Sequence, residues 1–286
     1  MTDLDKYKRL VSKNNQIISS ADPKLIPEET PKSFDPDLAK RLSRLGVKIP
    51  GVQIDQDLYT IIAFDTTGSM SDCIDAVRKN IREISHELLE QEDSVQIMLG
   101  GVGEYCDIPY TLQLKDFRKD PKSLERDIEE IRNTPGGGAC QVSLELLFRE
   151  LNNRYVQKDK NYALVVFTDQ IAHGQDNGEK RPRADYKLEL EKLKENLGAF
   201  YIVNCGDDVE VIRLQRDLLD PYNSNEKQIL LEDALANSKL ISSLIIAMVK
   251  RTISVDRERD YLAKLKGGTE EQRGIAEDIE RKYLPF

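Results

Sequence analysis

The sequence predicts an α/β protein with a doubly wound, mostly parallel central sheet that is flanked by helices. From residue 58 onward, strand-like runs alternate with helix-like segments, which is the pattern of a parallel sheet covered on both faces. Two runs, residues 59–64 and 162–167, are rich in apolar, β-branched and aromatic residues, and each is followed at once by hydroxyl or carboxylate residues. Polar residues in that position lie at the carboxyl edge of an open sheet, where ligands bind. The same pattern therefore predicts both the fold and the place of its site.

The chain is organised around residues 59–71. The strand-like run stops at Asp65, and hydroxyl residues follow at alternate positions, Thr67 and Ser69. Ser71 is a candidate N-cap for the next segment, which is predicted to be an amphipathic helix because its apolar residues recur at spacings of three and four. These apolar residues are Ile74, Val77, Ile81, Ile84 and Leu88. The segment is thus predicted to be a strand, a polar loop and a helix.

The remaining elements continue the alternation. Strands are predicted over residues 94–102, 110–114, 162–167, 199–203 and 228–231, and helices over residues 122–132, 141–153, 184–196 and 232–250. A glycine-rich loop, residues 136–138, is expected to close over the carboxyl edge of the sheet.

The two ends of the chain differ from this alternating part. Residues 1–57 contain five of the eleven prolines and predict an arm that packs on the domain or reaches a neighbour, with a partly disordered leader as the alternative. A short helix is predicted over residues 37–45 of this arm. Residues 256–283 are charged and helix-prone, with a break at Gly267 and Gly268, and predict a solvated helix pair clamped to the domain, with a partner-binding helix as the alternative.

These patterns divide the chain into three parts. The first is the N-terminal arm, residues 1–57, and the second is the α/β domain, residues 58–250. The third is a C-terminal helical extension, residues 251–286.

Composition excludes several classes of protein. No apolar run is long enough to cross a bilayer, and the N-terminus lacks the apolar core of a signal peptide, so we expect a cytoplasmic protein. Four cysteines without CxxC spacing favour a reducing compartment and argue against a zinc site. The net charge of −9 argues against a general nucleic-acid-binding surface, but it does not exclude local basic patches.

Oxygen-bearing side chains gather at the predicted ends of two strands. Asp65 follows the first strand and Asp169 follows the strand over residues 162–167, and adjacent parallel strands would bring both acids to one edge of the sheet. Thr67 and Ser69 add hydroxyl oxygens there. Because a hard divalent cation prefers carboxylate and hydroxyl oxygen, these residues predict a Mg²⁺ site.

Three matched segments give the chain a family resemblance. Residues 65–71, DTTGSMS, resemble the DxSxS-type motif of von Willebrand factor A domains, in which a metal-ion-dependent adhesion site holds Mg²⁺. The resemblance continues through residues 165–169, similar to the family's strand that ends in Thr-Asp, and residues 200–207, similar to its last central strand. It covers residues 58–250 in the expected order. Residues 103–110, GEYCDIPY, also resemble the subgroup found in intracellular and alpha-kinase-linked proteins.

This resemblance implies which residues hold the ion. Asp65, Thr67, Ser69 and Asp169 would ligate Mg²⁺, with Mn²⁺ and Ca²⁺ as alternatives, the hydroxyls directly and the aspartates directly or through water. No catalytic residue and no organic cofactor is implied.

The chain departs from the family at one position. Members usually place a Thr or Asp after the glycine-rich loop, where this chain has Ala139. Mg²⁺ then lacks a ligand unless another group substitutes. Thr134, Gln141, Ser143 and water are the candidate substitutes, and the resemblance implies a weak site or one completed by a partner's carboxylate.

The resemblance also implies a function. The ion's open position would accept an Asp or Glu from another protein, so the chain would be a non-catalytic interaction module of a multiprotein system, with no turnover of its own. By fold-level analogy its partner would be a kinase, a phosphatase or an AAA-type ATPase.

Two other functions stay open. A haloacid-dehalogenase-type phosphatase would use Asp65 as the nucleophile, and other residues that can be fitted to it are Thr168, Asp207, Asp208, Lys180 and Lys187. Thr67 stands where its second acid is expected, and Ser69 and Asp169 have no role in its chemistry, so we expect no enzyme. A structural scaffold with a vestigial metal site is the other alternative, and it predicts that metal removal changes nothing.

The remaining candidates have ordinary explanations. His86 lies beside the apolar stripe of the first helix. His173 lies in the loop after Asp169 and, having no second partner in the sequence, is interpreted as an incidental loop histidine, with contact to a ligand of the site as the alternative. Cys140, next to the glycine-rich loop, is a candidate reactive thiol, but the sequence places no base beside it, so we expect no catalytic role for it. Tyr105 and Asp107 are expected either to line the groove beside the metal or only to shape a turn.

Overall fold

The computed structural model describes residues 57–137, 141–158, 160–175, 183–220, 226–230 and 238–283. Nearly all of the predicted N-terminal arm, including its short helix, lies outside the described residues, and so do Ala139, Cys140 and Lys180.

In the part of the chain that the structure describes, eight strands form two sheets. The strands are β1 (Leu58–Asp65), β2 (Val95–Val102), β3 (Leu112–Leu114), β4 (Gln141–Val142), β5 (Asn161–Thr168), β6 (Ile171–Ala172), β7 (Leu197–Asn204) and β8 (Glu226–Leu230). The central sheet has the order β3-β2-β1-β5-β7-β8, and β4 pairs with β6 in a small second sheet. Within the central sheet every neighbouring pair is parallel except β2 and β3. The predicted doubly wound α/β fold is confirmed.

Eight α-helices lie in the described part of the chain. They are α1 (Ile74–Gln91), α2 (Pro121–Glu130), α3 (Leu144–Glu150), α4 (Tyr186–Lys194), α5 (Val209–Arg216), α6 (Ser238–Ile253), α7 (Val255–Lys266) and α8 (Glu270–Lys282). A 3₁₀ turn, Gly68–Asp72, precedes α1, and a π-helical turn, Leu151–Tyr155, follows α3. None of these helices combines the length and the apolar character needed to cross a membrane.

The two faces of the sheet are buried in separate cores. Successive side chains of β1 point to opposite faces, so Ile62 and Phe64 pack with α1 and α6 while Ile61 and Ala63 pack with α3. All eight residues of β1 are buried, which explains why this strand is apolar on both faces. Because β1 lies between β2 and β5, the sheet's strand order changes direction there, and the carboxyl ends of β1 and β5 border the resulting crevice.

The last three helices pack on one another and on α1. Buried residues of α7 and α8 extend the core beneath α6, although the apolar positions of this segment are sparse. Glu92, at the C-cap of α1, accepts from Lys250 Nζ at 2.5 Å and from Arg257 Nη1 at 2.8 Å. This ion pair network joins the end of α1 to α6 and α7. The predicted break at Gly267 and Gly268 separates α7 from α8.

Two local predictions are wrong. Ser71 does not cap α1, because it lies within the 3₁₀ turn, which buries Met70, and the helix begins only after Cys73. The helix predicted over residues 141–153 is broken, because its first two residues pair with β6 as a strand and the N–H of Ser143 donates to Gly103 O. The other predicted boundaries that fall on described residues differ from the observed ones by at most three residues, and the start predicted for the helix over residues 232–250 lies outside the described residues.

Candidate metal centre

Asp65 lies at the end of β1 with both carboxylate oxygens engaged. Its side chain is 1% exposed. Oδ1 accepts hydrogen bonds from the N–H and the hydroxyl of Thr67, at 2.8 and 2.7 Å, and Oδ2 accepts one from the Thr168 hydroxyl at 2.9 Å. The carboxylate is therefore fixed by the loop that follows β1 and by the last residue of β5.

The hydroxyls continue this arrangement to the second aspartate. Thr67 Oγ1 and Ser69 Oγ are 3.2 Å apart, and the Ser69 hydroxyl donates to Asp169 Oδ1 at 3.0 Å. The structure thus brings together all four residues that the sequence predicts as ligands, although Ser69 and Asp169 are 100 residues apart in the chain. Their role as metal ligands stays a prediction.

Burial disfavours the charged form of both carboxyl groups. Burial, together with the nearby Asp169, raises the pKa of Asp65 from 3.8 to about 7, although hydrogen bonds from Thr67 and Thr168 oppose this shift. Burial likewise raises the pKa of Asp169, while the hydrogen bond from Ser69 opposes the shift. A buried acid beside a half-buried one is stabilised either by a proton or by a cation placed between them.

Three of the four residues, Thr67, Ser69 and Asp169, line a cleft of about 330 Å³, whereas the buried Asp65 reaches it only through its hydrogen bond with the Thr67 hydroxyl. Its lining comes from the loops after β1, β2, β5 and β7 and from the glycine-rich loop, and consists of Thr67, Gly68, Ser69, Glu104, Pro135, Gly136, Gly137, Asp169, Gln170, Gly206, Asp207, Asp208 and Val211. Four of these described residues are acidic and none is Lys, Arg or His. The lining therefore favours a cationic occupant.

Glycines let the loop after α2 approach the site closely. A Cβ on Gly68 would lie 2.9 Å from Pro135 O, and a Cβ on Gly136 would lie 3.2 Å from Thr67 Cβ. Gly136 also has a φ of +72°, in the left-handed region that favours glycine. Asp107 holds this loop, because its Oδ1 accepts from the Gly136 N–H at 3.1 Å. The loop is therefore packed against Thr67 and Gly68.

Of the two alternatives for Tyr105 and Asp107, lining the groove is not the one observed, because neither residue lines the cleft, whereas their neighbour Glu104 does. Asp107 instead shapes a turn by accepting from the Glu104 N–H at 2.8 Å. Asp208, at the other side of the cleft, caps α5 by accepting from the N–H groups of Glu210 and Val211.

None of the substitutes predicted for the missing ligand lies in the cleft lining. Thr134 is bonded to Thr66 through its N–H, at 2.7 Å, and its hydroxyl. Gln141 Oε1 is 2.8 Å from His173 Nδ1, and Ser143 is fully buried. Each side chain is held elsewhere by local packing, which sequence spacing does not report.

Sequence reasoning missed Gln170. Its Nε2 donates to Ser69 Oγ at 2.7 Å and to Thr67 Oγ1 at 3.1 Å. The available signal was its position directly after Asp169, at the end of a strand that already supplied a candidate ligand.

His173 belongs to a buried polar cluster beside the cleft, so its interpretation as an incidental loop histidine is wrong. Its fully buried ring stacks on Tyr105 with centroids 3.9 Å apart, and Nε2 is 3.0 Å from Glu104 Oε1. Glu145 accepts from the Tyr105 hydroxyl at 2.5 Å and from the His173 N–H at 3.3 Å, and burial raises its pKa to about 7. Through Glu104 this cluster supports one wall of the cleft. His86, in contrast, lies on α1 and pairs with Glu125 at 2.9 Å.

The donor set fits a hard cation. The described residues contain no group of three or more His, Cys, Asp or Glu side chains that could hold a metal ion, so any ion here depends on the hydroxyls as well as the two carboxylates. Cys73 and Cys205 are free thiols. Oxygen donors, an acidic lining and two acids with raised pKa values match the preferences of Mg²⁺, Mn²⁺ or Ca²⁺.

Comparison with solved structures supports the fold. The pilus adhesin SpaC from Lactobacillus rhamnosus GG matches 71% of this chain with a TM-score of 0.51 and 12% identity, and the match spans 30% of SpaC. The SpRpn10 VWA domain (TM-score 0.40, 13% identity) matches 60% of this chain and 86% of its own length. The pilus tip protein Mfa5 from Porphyromonas gingivalis (TM-score 0.32, 15% identity) matches 40% of this chain and 20% of its own length.

No family model and no curated protein sequence matches this chain. The identity to SpaC is too low to carry more than the fold, and this chain is thus similar to SpaC in its α/β architecture.

Proposed function

We propose that this chain is a protein-interaction module that holds a Mg²⁺ ion at Asp65, Thr67, Ser69 and Asp169 and binds an Asp or Glu of another protein through that ion. The observation that carries the proposal is the continuous arrangement of these four side chains across the ends of β1 and β5, beside an acidic cleft.

Charge explains why an ion is needed. A partner's carboxylate would be repelled by a cleft whose described charged side chains are all acidic. A bound divalent cation supplies a positive charge and an open coordination position for that carboxylate. The chain's own residues fix the oxygens: Thr168 holds Asp65, and Asp65 in turn orients the Thr67 hydroxyl.

Two observations favour binding over turnover. Asp65 is almost fully buried and both of its oxygens accept hydrogen bonds, which is unsuited to a nucleophile that must reach a phosphoryl group. Lys187 lies on α4 and does not line the cleft, and no other lysine among the described residues lines it. The resemblance to intracellular von Willebrand factor A domains favours a cytoplasmic partner such as a kinase, a phosphatase or an AAA-type ATPase.

The test is calorimetric titration of Mg²⁺ and Mn²⁺ into chelator-treated protein. The wild type should bind the ion, and Asp65→Ala/Asp169→Ala should not. The matched control is Glu90→Ala/Asp116→Ala, which removes two highly exposed acids outside the cleft and should leave binding unchanged. A wild type that binds neither ion, or a double variant that binds as well as wild type, would refute the metal site.

A further inference from the structure

The side-chain amide of Gln170 lies against both hydroxyls of the proposed site. Nε2 is 2.7 Å from Ser69 Oγ and 3.1 Å from Thr67 Oγ1, and the two hydroxyl oxygens are 3.2 Å apart. The three atoms form a nearly regular triangle. Adjacent ligands of an octahedral Mg²⁺, each at 2.0–2.1 Å from the ion, are about 3 Å apart. The triangle therefore has the size of one face of a Mg²⁺ coordination octahedron.

The other end of the same amide lacks a hydrogen bond. Gln170 is 7% exposed, and its Oε1 is buried with no hydrogen-bond partner among the described residues. A buried carbonyl oxygen without a partner is unfavourable, whereas an amide carbonyl is a good ligand for a hard cation. Turning the terminal torsion of the side chain exchanges the nitrogen and the oxygen, because that torsion is broad and roughly two-fold. Oε1 would then face the two hydroxyls.

The backbone of Gln170 is fixed at the sheet edge. Its N–H donates to Thr168 Oγ1 at 3.0 Å, and its carbonyl accepts from Gln215 Nε2 at 2.9 Å. The same Thr168 hydroxyl donates to Asp65, so one group positions both the backbone of Gln170 and the Asp65 carboxylate. The side chain is thus held beside the site by β5 and α5.

We infer that Gln170 Oε1 is a further ligand of the cation and replaces the Thr or Asp that the chain lacks at Ala139. This inference rests on the proposed function. Without the ion, the side-chain Nε2 of Gln170 donates to the hydroxyl oxygens of Thr67 and Ser69. With the ion, the side-chain amide would turn, and Oε1 would ligate the ion beside the two hydroxyl oxygens. Binding of the ion is therefore coupled to rotation of the Gln170 side-chain amide.

The test compares the wild type with two variants of Gln170, and with two control variants, by calorimetric titration with Mg²⁺ and Mn²⁺. Gln170→Met keeps the length of the side chain and removes both polar atoms, and it should weaken binding at least tenfold. Gln170→Glu keeps an oxygen and removes the N–H donor, and it should bind at least as tightly as wild type. Gln91→Met and Gln91→Glu, on the far end of α1, are matched controls that should bind like wild type.

Each of the two Gln170 variants can overturn the inference that Oε1 ligates the ion. If Gln170 serves only as a hydrogen-bond donor to the hydroxyls, Gln170→Glu will be as weak as Gln170→Met, and the inference is overturned. Equal affinity of Gln170→Met and wild type overturns it as well, while leaving the proposed function standing. No binding by wild type overturns both. As an independent readout, the ¹⁵N-labelled side-chain amide of Gln170 should shift on Mg²⁺ addition, and unchanged far-ultraviolet circular dichroism shows that each variant is folded.

Discussion

The hydroxyl of Thr168 donates to Asp65 Oδ2 at 2.9 Å, although the two residues are 103 positions apart in the chain. This bond joins the carboxyl ends of the two central strands, β1 and β5, and leaves Asp65 with no freedom to turn away from Thr67. The geometry of the site therefore depends on how β5 pairs with β1.

Removing that hydroxyl should weaken both the fold and the site. Thr168→Val preserves the shape of the side chain but leaves Asp65 Oδ2 buried without its donor, so the free energy of unfolding should fall by about 1–3 kcal/mol. Urea denaturation measures the change. Thr168→Ser keeps the hydroxyl and should retain most of the stability. A valine variant as stable as wild type would mean that this bond contributes nothing.

The raised pKa of Asp65 predicts how stability depends on pH in the presence of a chelator. The folded chain keeps a proton on Asp65 up to pH about 7, whereas the unfolded chain releases it near pH 4, so the free energy of unfolding should decrease as pH rises between these values and level off above them. The difference between 3.8 and about 7 corresponds to at most about 4 kcal/mol.

Asp65→Asn isolates this contribution. Glu145 also has a pKa raised to about 7 and acts in the same direction, so the informative quantity is the difference between the two proteins. Urea denaturation from pH 4 to pH 8 should show a smaller loss of stability in the variant than in the wild type. Parallel pH profiles would contradict the assignment to Asp65.

Gly136 should not tolerate a side chain. Gly136→Ala places a Cβ 3.2 Å from Thr67 Cβ in a backbone conformation with positive φ, so the variant should lose about 1–2 kcal/mol of stability and bind Mg²⁺ more weakly. Gly274→Ala is the matched control, because no atom lies within 4 Å of its added Cβ and it is in α8. That control should gain about 0.5–1 kcal/mol in urea denaturation. Equal effects of the two substitutions would argue against close packing of the glycine-rich loop.

The buried pair of Glu92 and Lys250 should be important to the packing of the C-terminal helices. Lys250→Met leaves Glu92 buried with only the half-exposed Arg257 as a described partner, and should cost about 3–5 kcal/mol. The double variant Glu92→Met/Lys250→Met removes both buried charges and should recover much of that loss. Thermal unfolding followed by circular dichroism compares the three proteins. A double variant less stable than Lys250→Met would contradict this account.

Sequence patterns predicted the central sheet well because its strands are buried on both faces. In β1 and β5 this requirement leaves continuous apolar runs, and the polar residues that end them are visible as abrupt changes. The positions of Asp65 and Asp169 followed directly from that rule. Boundaries decided by tertiary contacts were less predictable: the pairing of Gln141–Val142 with β6 interrupts what reads as one helix.

The spacing of residues in the sequence did not predict the other residues of the site, Gln170, Glu104 and His173. Gln170 acts through a side chain whose direction is fixed by contacts with Thr67 and Ser69, which are about a hundred residues away in the chain. Glu104 and His173 meet only because their loops fold over the same edge of the sheet. No periodicity marks residues of this kind, because their partners lie on loops that are distant in the chain.

The pairing of β1 with β5 has one further consequence. A ligand bound by the ends of both strands adds its binding free energy to their association, and it is released when either strand separates. During synthesis on the ribosome, Asp65 emerges long before Asp169, so the complete site cannot form until Asp169 has also been made. A partner that docks through this site would therefore distinguish the finished protein from its nascent or partly unfolded forms.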